Sequence, residues 1–154
     1  MTPKEIKAYQ HSLKVLKGHH IRITPQRQLL LRYLICNHTH PSIDQIHKAL
    51  SQQMSNMSVA TLYNSLDLFN KLGLTISLPG KDNRVRFDYF GKPHFHAICK
   101  RCGKIFDIFD KNYPELNERL KKLAKDQADF DFAESKVEIF GLCSKCKKEL
   151  SKKN

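Results

Sequence analysis

Two short cysteine pairs constrain this chain more than any other feature. Cys99-x-x-Cys102 and Cys143-x-x-Cys146 are separated by 40 residues, and a two-residue gap lets both sulfurs of a pair face one ion. Four thiolates from two such knuckles make a closed tetrahedral zinc site that ties the last strand of its domain to the first. Gly103 follows the first pair directly and supplies the backbone freedom that such turns use. Buried thiols and a redox dithiol are the other readings of paired cysteines. The fifth cysteine, Cys36, stands alone in an apolar helix face and is expected in the core.

The rest of the composition places those cysteines. The N-terminal stretch MTPKEIKAYQHSLKVLKGHH has no apolar signal core, and the longest apolar run, Leu29 to Cys36, is broken by Arg32. No membrane span is expected. The expected location is the reducing cytoplasm, where paired spacing points to metal rather than disulfides. A length of 154 residues suits one ordinary domain or two small ones and excludes a large multidomain enzyme. Twenty-seven Lys and Arg against 15 Asp and Glu leave a net charge of +12, which points to a polyanion such as nucleic acid. Residues 1–88 hold 12 basic and 5 acidic side chains and residues 89–154 hold 15 and 10, so both halves are basic.

Along the chain, Ile6, Tyr9, Leu13 and Leu16 recur at helical spacing between Pro3 and Gly18. Thr24-Pro25 opens a second helix through Leu29, Leu30, Tyr33 and Leu34, and Ser42 with Gln45 opens a third through Ile46, Ala49 and Leu50. Ser58 caps a fourth, with Leu62, Leu66, Phe69 and Leu72 on one face and Thr61, Tyr63, Asn64 and Asp67 on the other, ending at Gly73. Leu74–Leu78 and Val85–Tyr89 then flank Pro79-Gly80-Lys81-Asp82-Asn83 as a hairpin. Helices followed by a hairpin predict a winged helix-turn-helix whose fourth helix enters the major groove. After Gly91-Lys92-Pro93 come strands at His94–Ile98 and Lys104–Phe109, a helix from Glu115 to about Gln127, a strand at Lys136–Leu142, and a frayed basic tail from Lys147 to Asn154. The expected class is α+β: a winged-helix DNA-binding domain over 1–88, a linker at 89–93, and a small α/β domain over 94–154.

His40, Asp88, His94, His96 and Asp107 form a second candidate set. His94 and His96 lie two apart on a strand, so both imidazoles point to one side. With carboxylates they make a mixed nitrogen and oxygen set that suits Fe²⁺, Mn²⁺ or Zn²⁺ and disfavours soft ions. From spacing alone the same residues also fit surface histidines and solvated acids, and His40 before Pro41 also fits a helix-entry residue.

Three strings together resemble the ferric uptake regulator family of bacterial metalloregulators: Ser58-Val-Ala-Thr-Leu-Tyr-Asn-Ser-Leu, His94-Phe-His-Ala-Ile-Cys-Lys-Arg-Cys-Gly103 and the terminal Cys-x-x-Cys. The resemblance runs from about Leu13 to Cys146. It implies a homodimeric winged-helix repressor on double-stranded DNA with an inverted-repeat operator. It also implies structural zinc on Cys99, Cys102, Cys143 and Cys146, and a regulatory metal between the domains. The three histidines and two aspartates of the family's peroxide-responsive branch correspond to His40, Asp88 in Arg-Phe-Asp, His94, His96 and Asp107, five residues after Cys102; Fe²⁺ or Mn²⁺ is the implied ion. Iron-responsive relatives usually carry glutamate at the last position, and Asn64 after Tyr63 also fits the peroxide branch. Asp67 departs from the pattern by bringing a negative charge to the recognition helix, and Cys36 has no role in it.

The expected function is therefore regulation rather than catalysis. Arg22 and Arg27 are expected to contact phosphates, and Ser58, Thr61, Tyr63 and Asn64 to lie at the DNA, with Tyr63 and Asn64 as base readers. An iron- or zinc-uptake regulator would use the same ligands as a reversible metal gauge. A hydrolytic metalloenzyme is the competing class; it needs a general base beyond the ligands, and no candidate pairs with one.

Overall fold

In the first half of the chain, every helix begins where a side-chain oxygen can satisfy its free amides. The computed structural model describes residues 1–131 and 135–152. Thr2 and Glu5 form a reciprocal capping box at the start of α1 (Pro3–Gly18). Thr24 accepts from the Arg27 amide to start α2 (Pro25–Cys36). Ser42 and Gln45 form a second capping box before α3 (Ile43–Ser51). Ser58 accepts from the Thr61 amide before α4 (Val59–Lys71). Such caps each contribute about 1 kcal/mol. Gly73 takes a left-handed φ of +66° just beyond α4, where a side chain would be strained.

The chain then turns back as β1 (Thr75–Leu78) and β2 (Arg86–Tyr89), an antiparallel hairpin with Asp88 opposite Ile76. Leu16 of α1, Leu30, Leu31 and Leu34 of α2, Ile46 and Leu50 of α3, Leu62, Leu66 and Phe69 of α4, and Phe87 of β2 share one buried core. The Tyr89 hydroxyl lies 2.9 Å from the buried Ser12 Oγ and 3.2 Å from the Ala8 carbonyl, pinning the hairpin to α1. This is the winged helix-turn-helix arrangement, and it forms one compact unit, Met1–Gly91.

A second unit, Lys92–Asn154, is built differently. It comprises β3 (Phe95–Cys99), β4 (Ile105–Ile108), α5 (Tyr113–Ala128), β5 (Glu138–Gly141) and α6 (Ser144–Ser151). The sheet order is β4-β3-β5, with β3 antiparallel to β4 and parallel to β5. A parallel partner needs a long crossover, and α5 lies within it. No helix among the described residues is long and apolar enough to cross a membrane.

Two expectations need correction. The segment from Lys147 is not a frayed tail: α6 runs to Ser151, started by Cys143 in extended N-cap geometry and held by the buried Cys146. Arg101 donates to the Cys146 carbonyl and pairs with Glu149, both at 3.0 Å. Lys153 and Asn154 lie outside the described residues. Cys36 is exposed rather than buried. It ends α2, and the buried face of that helix is taken by Leu30, Leu31, Leu34 and Ile35.

Leu66 is fully enclosed in the first core. Leu66→Ala is expected to lower its stability by about 2–5 kcal/mol through lost burial and a residual cavity, measurable by urea unfolding.

Candidate metal centres and nucleic-acid surface

Backbone pairing brings the four cysteines together. Cys99 closes β3, and the Gly103 amide donates back to its carbonyl at 2.8 Å, with Gly103 at φ +74°. Parallel register sets Cys99 beside Gly141, which delivers Cys143 and Cys146 to the same end of the sheet. The four sulfurs lie within 4.8 Å of one another, Cys102 and Cys143 at 3.8 Å. A tetrahedral ion with metal–sulfur bonds of about 2.3 Å spaces its sulfurs by about 3.8 Å, so the donor set fits zinc. Donation from the Cys143 amide at 3.4 Å, with that of Cys102, draws the Cys99 thiol down to about 6. Burial, then the crowding sulfurs, pushes Cys146 up to about 12.

The other predicted ligands fall into two groups, one per unit. In the second unit His96 sits directly opposite Asp107 across β3 and β4, so their side chains share a face. The His96 Nε2 lies 3.5 Å from Asp107 Oδ1 and 3.0 Å from His94 Nε2, and His94 Nε2 is 3.8 Å from the same carboxylate oxygen. His94 Nδ1 lies 2.8 Å from the Lys92 carbonyl. Donation there leaves the Nε2 lone pair for the cluster, the arrangement metal-bound imidazoles use. Two nitrogens bound at about 2.1 Å and right angles stand about 3.0 Å apart, so the pair fits a hard or borderline divalent ion. Both imidazoles are buried, His96 at 2% exposure.

In the first unit His40 Nε2 lies 4.0 Å from Asp88 Oδ1, with both side chains under 5% exposed. His40 precedes α3 at a left-handed φ of +53°, and Asp88 sits in β2. Sequence reasoning missed both that strain and the contacts around it. The His40-Pro41 junction pointed the other way, since proline favours extended backbone in the residue before it.

The outer face of α4 is open. Tyr63 is 51% exposed and Asn64 is exposed beside it. The Ser58 hydroxyl is engaged as a cap and lies 2.8 Å from Thr61 Oγ1. Asp67 pairs with Lys71 at 2.7 Å one turn on, which offsets the negative charge it brings to this face. Arg27 donates to the Arg22 carbonyl at 2.7 Å, fixing the approach to α2, while the Arg22 side chain is exposed.

Cys99→Ser or Cys143→Ser is expected to lose stoichiometric zinc and the folded second unit together, read by elemental analysis and circular dichroism. Zinc affinity should weaken as pH falls, because protons compete for the thiolates. Unchanged zinc uptake in an acid titration would contradict a thiolate site.

The ferric uptake regulator family matches residues 18–140. The peroxide-responsive repressor PerR of a Staphylococcus aureus strain is 45% identical over 146 residues, covering 92% of this chain and 96% of its own. The solved structure of PerR from Streptococcus pyogenes is 31% identical with a TM-score of 0.53, over 90% of this chain and 92% of its own. The Campylobacter jejuni peroxide stress regulator is 25% identical with a TM-score of 0.66, over 87% and 98%. With its winged helix-turn-helix, its four-cysteine cluster and a match from residue 18 to residue 140, this chain belongs to the ferric uptake regulator family.

Proposed function

We propose that this chain is a homodimeric, metal-gated repressor that binds an inverted-repeat operator on double-stranded DNA in the cytoplasm and releases it in response to peroxide. The observation that carries the reading is the donor set: three imidazoles and two carboxylates, divided between two folded units, the first ending at Gly91 and the second beginning at Lys92. His40 and Asp88 would supply one half of the regulatory site and His94, His96 and Asp107 the other, for Fe²⁺ or Mn²⁺. Cys99, Cys102, Cys143 and Cys146 would hold structural zinc. Kinship with peroxide-responsive repressors supports this choice, as does aspartate rather than glutamate at position 107.

Ligands drawn from both units tie them when all five engage one ion. Binding energy available only in the tied arrangement shifts the population toward it, and a few kcal/mol is enough to gate DNA binding. Iron(II) supplies one-electron chemistry toward peroxide when bound, which Mn²⁺ does not readily provide. An imidazole is more readily oxidised than a carboxylate, so oxidation of His40 or His94 by peroxide would remove a donor and loosen the tie. The zinc thiolates are spared because a filled tetrahedral shell offers peroxide no open position.

Dimerisation is supported by apolar surface on the second unit. Ile139 and Phe140 of the edge strand β5 are exposed, as are Leu116, Leu120 and Leu123 along α5. Two-fold symmetry then predicts two recognition helices in successive major grooves. Tyr63 and Asn64 would read bases there, with Ser58 and Thr61 at the start of the same helix and Arg22 and Arg27 on phosphates.

The decisive experiment is a DNA-binding titration of the Fe²⁺ and Mn²⁺ forms before and after peroxide. The Fe²⁺ form is expected to lose binding and gain one oxygen on His40 or His94 by peptide mass spectrometry, while the Mn²⁺ form keeps binding. Equal sensitivity of the two forms would leave a metal-uptake regulator instead. Arg22→Ala and Arg27→Ala should each reduce the salt slope of binding by about 1 on all sequences. Tyr63→Ala should relax the preference for operator over random DNA, and an equal loss on both DNAs would make Tyr63 a backbone contact.

A further inference from the structure

His40 combines two disfavoured features: it has φ at +53°, and it precedes a proline, which pushes its neighbour toward extended backbone. Residues held in such conformations persist only where surrounding contacts over-determine them. Those contacts come from the wing. The Phe87 amide donates to the Pro41 carbonyl at 3.0 Å, and Ser42 bridges Arg86, so Pro41 and Ser42 lie along β2 as a short third strand. Gln45, the capping-box residue of α3, accepts from the Ser42 amide at 2.8 Å and from Arg86 Nη1 at 3.1 Å on one oxygen. The other arm of the Arg86 guanidinium reaches both carboxylate oxygens of Asp82 in the wing turn, each at 3.1 Å. Arg84 adds a bond to Asp44 of α3 at 3.1 Å.

Arg86 thus binds the wing turn to the start of α3, and its backbone lies one residue from Phe87, which holds Pro41. His40 is the residue before this strap and Asp88 is two residues beyond Arg86 on β2. We propose that Arg86 is a positioning residue: by clamping the wing to the capping box of α3 it holds His40 and Asp88 in metal-binding geometry and couples wing order to metal occupancy. The inference rests on reading His40 and Asp88 as ligands. Coupling of this kind is reciprocal, so order in the wing strengthens metal binding and a held metal steadies the wing.

The test uses full-length, zinc-loaded protein without DNA, with Mn²⁺ binding followed by its electron paramagnetic resonance signal and Phe87 amide exchange followed in the metal-free form. Arg86→Ala is expected to weaken Mn²⁺ binding about 10–100-fold, the usual loss when support behind a ligand is removed, and to speed exchange at Phe87. Removing a cation near Asp88 would by charge alone tighten Mn²⁺ binding, so the sign separates clamp from electrostatics. Gln45→Ala, which changes no charge, should shift both readouts in the same direction, and it serves if Arg86→Ala fails to fold. Arg86→Lys should recover part of the affinity, since it keeps one contact and loses the fork. Wild-type Mn²⁺ affinity or unchanged Phe87 exchange in Gln45→Ala and Arg86→Ala, with Mn²⁺ binding lost in His40→Ala, would overturn the clamp and leave the ligand reading intact. Retained Mn²⁺ binding in His40→Ala would overturn the ligand reading itself, and the inference with it.

Discussion

The second unit closes on its four sulfurs because it has little else to close on. Among its described residues the buried apolar side chains are Ile98, Cys99, Tyr113 and Cys146, two of them members of the cluster itself. A three-stranded sheet with one parallel pair must meet the entropy of a long crossover before its central contacts form. The sulfur cluster joins the C-terminal ends of the two parallel strands that the crossover links, Cys99 on β3 and Cys143 just past β5. The start of α6 at Cys143 and the anchoring of Arg101 on Cys146 and Glu149 follow from that closure. The same sheet carries His96 on β3 opposite Asp107 on β4, with His94 just before β3.

The first unit has the opposite economy. Its helices and hairpin share a continuous apolar core that needs no ion, and so it can place polar residues where packing would not choose them. His40 and Asp88 are buried among such packing, and the outer face of α4 is left open at Tyr63 and Asn64. A rigid core is what allows a strained histidine to be held in place, because strain survives only where its surroundings cannot relax.

Two donor chemistries are kept apart in one chain. The sulfurs form a soft, closed set suited to an ion that stays, whereas imidazoles and carboxylates form a harder set of modest affinity whose occupancy follows metal supply. Under the proposed function that division assigns folding to one metal and sensing to the other. Under the same proposal, dividing the second donor set between two units would convert occupancy into a change of conformational population.

Most of the elements were legible from residues 1–131 because local rules decide them. Thr24, Ser42 and Ser58 mark helix starts through their own hydroxyls, Gly73 marks an end, and the apolar spacing of α4 names its buried face. The cysteine pairs were legible for the same reason, since a two-residue gap is a local geometry. Where local signals were thin, the reading failed: a lysine-rich segment looked like a tail, yet Cys146 and Arg101 make it a helix through contacts distant in sequence. Cys36 looked apolar by its neighbours, but the phase of α2 turns it outward. The parallel register of β3 with β5, the opposition of His96 and Asp107, and the Arg86 clamp behind His40 belong to the tertiary structure alone. Sequence determines what each residue can donate or cap within a turn of chain, while which donors meet depends on strand register and core packing, and those are settled only by the whole fold.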